Sequence, residues 1–174
     1  LTLMDWYEEG IGARKKYIEA ISELINFAVK KLNAVIYVIP QVTLPTETHW
    51  GILLEILKRL DERCKRNLRI IRKELTLQEL LITYADLDFL ISTRMHATIF
   101  ALCVGTPALA IAYDYGGKWE IFELLKAKDI IINYKDVNKK VLMDKFIRLL
   151  NDSDKLIRNV RNSLKTIYNE AQKN

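Results

Sequence analysis

The segment from Leu90 to Asp114 constrains the fold of this chain more than any other part of the sequence. The stretch from Asp88 to Ser92 is rich in bulky apolar residues and predicts a short strand that is buried on both faces of a parallel sheet. The mostly apolar run from Arg94 to Val104 predicts a helix, and the apolar run from Ala108 to Ala112 predicts a second buried strand. Such a strand, helix and strand with short connections forms a right-handed crossover, which indicates the α/β class.

An arginine and a histidine stand at the point where the first strand leads into the helix. Thr93 is expected to cap this helix, and Gly105 and Pro107 are residue types that commonly follow a helix end. Arg94 and His96 therefore lie at the carboxyl end of a strand. Open α/β sheets bind ligands outside these strand ends, and a helix amino terminus adds N–H groups that attract anions. The sequence predicts a site for phosphate or carboxylate at this edge.

The rest of the chain alternates apolar strands with amphipathic helices. Further strands are predicted at Leu1 to Met4, Ala34 to Ile39, Leu68 to Ile71 and Asp129 to Asn133, and further helices at Ala13 to Leu32, Trp50 to Cys64, Thr76 to Tyr84 and Trp119 to Leu125, with two more helices within residues 136–174. We therefore predict an α/β fold with a doubly wound, mainly parallel, six-stranded Rossmann-like sheet, formed by residues 1–174 as a single domain.

The net charge of +5 is concentrated in the carboxyl-terminal part, where ten basic and five acidic residues follow Tyr134. The two signs alternate along amphipathic helical patterns, and no ladder of aromatic residues is interleaved with them. We expect a solvated helical face and no nucleic-acid partner, with peripheral association at an anionic membrane surface left open. No run of about 18 apolar residues occurs, so the sequence predicts no membrane span.

The two cysteines, Cys64 and Cys103, are far apart and fit neither a metal-binding nor a redox motif. Such thiols are typical of reduced cytoplasmic proteins, so we expect a cytoplasmic location and no disulfide. We also expect no metal and no cofactor, because the sequence has no obvious cluster of metal ligands. The second histidine, His49, lies in a polar loop and is expected to be an ordinary surface residue.

Several segments of the sequence resemble the polysaccharide pyruvyl transferase family. They are Ser92 to Leu102, Gly105 to Pro107, Ile111 to Asp114, the loop Ile39 to Thr46 and the opening strand Leu3 to Trp6. The resemblance implies that the chain is the carboxyl-terminal half of a two-domain, GT-B-like enzyme. In that arrangement residues 136–174 are candidates to pack back toward the amino-terminal domain.

The resemblance also implies a reaction and a set of site residues. The donor is expected to be phosphoenolpyruvate, and the acceptor a sugar, presented as a nucleotide sugar or a lipid-linked glycan precursor. The products are a pyruvate ketal and free phosphate. A guanidinium binds phosphate or carboxylate through paired hydrogen bonds, which suits Arg94, and an imidazole suits proton transfer by His96. The residues assigned to substrate binding are Gln41, Thr93, Tyr113, Asp114 and Lys118.

Three other interpretations of the same residues remain open at this point. The crevice is also compatible with a GT-B glycosyltransferase that uses a nucleotide sugar. A non-catalytic domain that binds a glycan precursor would retain the same fold. Arg94 is also a candidate for a purely structural partner of Asp86 or Asp114.

Overall fold

A computed structural model of the chain describes residues 1–4, 10–40, 50–113 and 119–173. Within these ranges the chain forms short strands and longer helices that alternate along the sequence. The strands are β1 (Ile36–Val38), β2 (Leu68–Ile70), β3 (Leu90–Ser92), β4 (Ala108–Ala112) and β5 (Ile131–Asn133). The helices are α1 (Ile11–Leu32), α2 (Trp50–Leu57), α3 (Glu62–Arg66), α4 (Leu77–Ala85), α5 (Met95–Val104), α6 (Ile121–Leu124) and α7 (Lys139–Ala171). The predicted α/β class is confirmed.

All strand pairs in the two sheets are parallel. One sheet has the order β1-β2, and the other has the order β3-β4-β5. In the second sheet Ser92 lies opposite Ala110, and Ala110 lies opposite Ile131. The carboxyl ends of β3, β4 and β5 therefore meet at one edge, as the α/β prediction requires.

The first residues of the chain connect the two sheets through backbone hydrogen bonds. The amino group of Leu1 donates to the carbonyl of Tyr37 at 2.7 Å, and the Leu1 carbonyl accepts from the Ile39 N–H at 2.9 Å. On the other side Thr2 pairs with Ser92 in an isolated parallel bridge. The predicted six-stranded sheet is not confirmed, because this segment contributes one bridge and not a strand within the described residues.

Two predicted helix boundaries are wrong. The helix predicted from Trp50 to Cys64 is divided into α2 and α3, because the Asp61 side chain accepts from the Cys64 N–H at 2.9 Å and starts a new helix. The two helices predicted at the end of the chain form one continuous helix, α7. No glycine or proline occurs in α7, so no residue of its sequence interrupts it.

The strands of the β3-β4-β5 sheet are almost completely buried. Helix α1 packs against α2, α3 and α7, whereas α4 packs against α5, which lies on β3 and β4. All residues of β3 and β4 are buried, which confirms the prediction of strands covered on both faces. In the described part of the chain no helix combines the length and the apolar character needed to cross a bilayer.

Candidate functional site

The candidate site forms where β3 ends at Ser92 and α5 begins at Met95. Only Thr93 and Arg94 lie between them, and Arg94 is the N-cap residue of α5, with an extended backbone conformation (φ −118°). Parallel pairing of β3 with β4 places this turn at the carboxyl edge of the sheet. The apolar strand and helix therefore project Arg94 and His96 at the edge where open α/β sheets bind ligands.

A small network of hydroxyl groups fixes the backbone of Arg94. The Ser92 hydroxyl accepts from the Arg94 N–H at 2.9 Å and donates to the Arg94 carbonyl at 2.8 Å. The Thr98 hydroxyl donates to the same carbonyl at 3.1 Å. The Ser92 and Thr2 hydroxyl oxygens lie 2.6 Å apart, so the network also joins the first residues of the chain to the turn.

The two candidate side chains differ in their exposure to solvent. Arg94 is half-buried and its Nε atom is fully buried, whereas His96 is exposed. The His96 ring lies one helical turn from Phe100, with 6.2 Å between ring centroids and planes tilted by 37°. A guanidinium supplies a permanent positive charge, and an accessible imidazole is able to exchange a proton with a bound molecule.

Comparison with known protein families shows which family this segment belongs to. The family model for polysaccharide pyruvyl transferase matches residues 9–115, which include Arg94 and His96. The chain belongs to the polysaccharide pyruvyl transferase family. The resemblance found in the sequence is thereby confirmed, although the match does not include the Leu3 to Trp6 segment, Lys118 or α7. No curated protein matches the chain.

The structure corrects the sequence prediction for Thr93. Arg94, not Thr93, is the N-cap residue of α5. The Thr93 side chain is 3 % exposed, and its hydroxyl donates to the carbonyl of Thr2 at 3.3 Å. Thr93 therefore ties the turn to the opening segment of the chain, and its assignment to substrate binding in this pyruvyl transferase family member stays a prediction.

The other residues assigned to substrate binding come from strand ends or adjoining loops. Tyr113 directly follows β4 and is half-buried. Since β3 and β4 pair in parallel, Arg94 and Tyr113 follow the carboxyl ends of two neighbouring strands. Gln41, Asp114 and Lys118 lie outside the described residues.

The interpretation of Arg94 as a structural partner of Asp86 is wrong. Asp86 ends α4 before β3 begins, so it lies at the opposite end of that strand from Arg94. Asp86 is therefore not its structural partner. The part of the chain that the structure describes contains no group of three or more histidine, cysteine and acidic side chains placed to hold a metal ion.

Three residues that support the turn were not among the predicted site residues, namely Thr2, Ser92 and Thr98. Thr98 follows Arg94 by four positions, the spacing at which a threonine hydroxyl reaches the carbonyl of the preceding helical turn. That spacing was a usable signal. The contact between Thr2 and Ser92 had no local signal, because the two residues are 90 positions apart in the chain.

Proposed function

We propose that this protein transfers a pyruvyl group from phosphoenolpyruvate to a sugar in polysaccharide or glycan-precursor assembly. Membership of the polysaccharide pyruvyl transferase family supports a transferase with this kind of product. The observation that carries the proposal is the joint placement of Arg94 and His96 at the carboxyl edge of β3, within the matched segment.

Arg94 suits the donor because phosphoenolpyruvate carries a phosphate and a carboxylate on one small molecule. A guanidinium presents paired N–H donors that match the oxygens of either group. The amino terminus of α5 begins beside Arg94 and adds its partial positive charge on the same side. Together they supply positive potential for the carboxylate and the phosphate of the donor.

His96 suits the proton transfers that the reaction needs. In the transfer, the methylene carbon of phosphoenolpyruvate gains a proton and becomes a methyl group, and two sugar oxygens bond to the central carbon. The bond from that carbon to the phosphate oxygen breaks, and the two hydroxyl protons end on the methyl group and on phosphate. An exposed imidazole is available to deliver or remove one of these protons, which typically contributes about 10²–10⁴-fold in rate.

The sugar acceptor requires contacts beyond those seen in the described residues. We infer that a second domain faces the carboxyl edge of the sheet and completes the crevice, as in a GT-B-like enzyme. In this arrangement Tyr113, which directly follows β4, lies between the donor and the acceptor. The crevice between the two domains would then hold the nucleotide sugar or lipid-linked precursor that presents the acceptor hydroxyls.

Calorimetric titration distinguishes this proposal from a nucleotide-sugar glycosyltransferase. Phosphoenolpyruvate and a uridine diphosphate sugar are titrated separately into the protein and into its Arg94→Ala variant. We expect saturable binding of phosphoenolpyruvate that is lost in Arg94→Ala and retained in Arg158→Ala, a matched change on the exposed side of α7. Binding of the nucleotide sugar alone would contradict the proposal.

A further inference from the structure

A stripe of polar side chains follows one side of α7. Its members recur at alternating intervals of three and four residues, which places them on a single helix face. They are Lys145, Arg148, Asp152, Lys155 and Asn159. Arg148, Asp152 and Lys155 are exposed, whereas Lys145 and Asn159 at the two ends of the stripe are half-buried.

The stripe forms one wall of a cleft of about 130 Å³. The opposite wall is the connection from α6 to β5, with Lys126 and Asp129 at its rim. Leu109, the second residue of β4, lines the floor of the cleft. Because this part of β4 precedes its carboxyl end, the cleft lies away from the edge that carries Arg94.

Positive charge exceeds negative charge around this cleft. Its lining residues include four cationic side chains and two carboxylates. Of the carboxylates, Asp152 is paired with Arg148 at 3.8 Å, and Asp129 lies beside Lys145. Among the described residues no carboxylate lies within 4 Å of the ammonium groups of Lys126 and Lys155, so two cations face the cleft without a neutralising partner.

Lys145 places a third ammonium group deeper in the same wall. Its Nζ atom donates to the carbonyl of Asp129 at 2.7 Å and to the carbonyl of Ile131 at 2.8 Å. A lysine ammonium carries three N–H donors, so one is left for another acceptor. Burial lowers the pKa of Lys145, and a bound anion would offset this effect by favouring the charged form.

The backbone at Lys126 is held in an uncommon conformation that keeps this residue at the rim. Its φ is +53°, in the left-handed region that non-glycine residues rarely adopt. The Lys126 N–H donates to the Glu123 carbonyl at 2.9 Å, and the Ala127 N–H donates to the Phe122 carbonyl at 2.8 Å. These bonds close the end of α6, so the turn and its lysine have a defined position opposite α7.

We propose that this cleft is a second anion site, separate from the candidate active site, and that it binds a phosphate group through Lys126, Lys145 and Lys155. Lysine ammonium groups bind phosphate as point charges, and three lysines from two elements of the fold line this cleft. A phosphate group, which carries up to two negative charges, fits the excess of two positive charges in the lining.

Titration with inorganic phosphate, followed by amide NMR spectra at constant ionic strength, tests the proposal. We expect saturable shifts at Lys126, Ala127 and Asn159, and a dissociation constant at least fivefold higher in Lys126→Ala and in Lys155→Ala. Lys165→Ala, which removes the same charge from an exposed position on α7, is expected to leave the dissociation constant unchanged. Arg94→Lys is also expected to leave these shifts unchanged, so the result does not depend on the proposed enzymatic function.

Three outcomes would overturn the proposal. The first is the absence of saturable shifts around the cleft in the unmodified chain. The second is an equal loss of affinity in Lys165→Ala and Lys155→Ala, because that result would indicate attraction to the basic helix as a whole. The third is tighter binding of acetate than of phosphate, which would assign the cleft to carboxylates.

Discussion

The Ser92 hydroxyl holds both backbone groups of Arg94, accepting from its N–H at 2.9 Å and donating to its carbonyl at 2.8 Å. A serine hydroxyl has one donor and two acceptor positions. Since its own proton goes to the Arg94 carbonyl, the 2.6 Å contact with Thr2 requires the Thr2 hydroxyl to donate to Ser92. The strand end, the opening segment and the first residue of the helix turn are thus joined at a buried serine.

Ser92→Ala is expected to lower the free energy of unfolding by about 1–3 kcal/mol, because it leaves the Arg94 N–H and the buried Thr2 hydroxyl without their partner. Urea denaturation measures this change. The matched control is Ser163→Ala, since the Ser163 hydroxyl is buried with no hydrogen-bond partner among the described residues. The control is expected to be neutral or slightly stabilising, and equal losses in both variants would contradict the role of the network.

Arg94→Lys is expected to weaken phosphoenolpyruvate binding by about tenfold, because an ammonium group does not reproduce the paired donors of a guanidinium. The exposed Arg158 provides the control, and Arg158→Lys is expected to bind the donor with unchanged affinity. Calorimetry measures both dissociation constants. Unchanged affinity in Arg94→Lys would show that the fork geometry of Arg94 does not contribute to donor binding.

His96→Ala is expected to reduce phosphate release from phosphoenolpyruvate in the presence of acceptor by about 10²–10⁴-fold. Because His96 is exposed, its removal is expected to change the free energy of unfolding by no more than about 0.5 kcal/mol. A phosphate-release assay and thermal denaturation measure the two effects. His49→Ala removes the second histidine and is expected to keep full turnover, so equal activities of the two variants would exclude His96 from proton transfer.

Gly105→Ala is expected to destabilise the fold by about 1–2 kcal/mol, because Gly105 ends α5 with φ +95° and an added Cβ would lie 3.1 Å from the Arg161 side chain. Gly12→Ala is the control, since Gly12 lies in α1 and a Cβ there meets open space. That change is expected to be neutral or stabilising by up to about 1 kcal/mol. If urea denaturation showed Gly12→Ala to be more destabilising than Gly105→Ala, the requirement for glycine at the end of α5 would be contradicted.

The free energy of unfolding is expected to decrease at acidic pH, partly because Asp61 becomes protonated. Its hydrogen bond with Lys30, at 2.5 Å, and its bond from the Cys64 N–H hold the pKa of Asp61 well below its ordinary value of 3.8. Because this pKa is lower in the folded chain than in the unfolded chain, the carboxylate stabilises the fold at neutral pH. That stabilisation is lost as the pH falls below about 5 through the folded pKa.

Asp61→Asn tests this dependence by urea denaturation at several pH values. The variant is expected to be less stable than the unmodified chain at pH 7, and the difference is expected to shrink steadily below about pH 5. Glu23→Gln, on an exposed position of α1, is the control for loss of a carboxylate. If the difference in free energy of unfolding between Asp61→Asn and the unmodified chain stayed constant down to pH 2, Asp61 would not contribute to the acid dependence.

Local sequence patterns were sufficient for the elements around the site. Strand β4 has the bounds predicted from its run of apolar residues, because burial on both faces leaves a continuous apolar signal. The end of α5 was also predicted. The backbone there has φ +95°, a conformation that favours glycine, so Gly105 in the sequence marks the position where the helix ends. The carboxyl-edge position of Arg94 and His96 follows from these two elements.

What the sequence did not reveal depends on contacts between distant parts of the chain. Thr93 was expected to cap α5, but in the structure its hydroxyl donates to Thr2 and Arg94 takes the cap position. Local capping rules do not include a competing acceptor from a segment more than 90 positions away. The Lys145 contacts with the Asp129 and Ile131 carbonyls were missed for the same reason.

An NMR titration of the His96 imidazole with phosphoenolpyruvate tests whether Arg94 and His96 belong to one donor site, with the Hε1 signal assigned from its absence in His96→Gln. We expect a saturable shift of this signal, a curve displaced to about tenfold higher concentration in Arg94→Lys, and no shift at His49. A His96 signal that does not move while phosphoenolpyruvate binds elsewhere on the protein would contradict the proposed site.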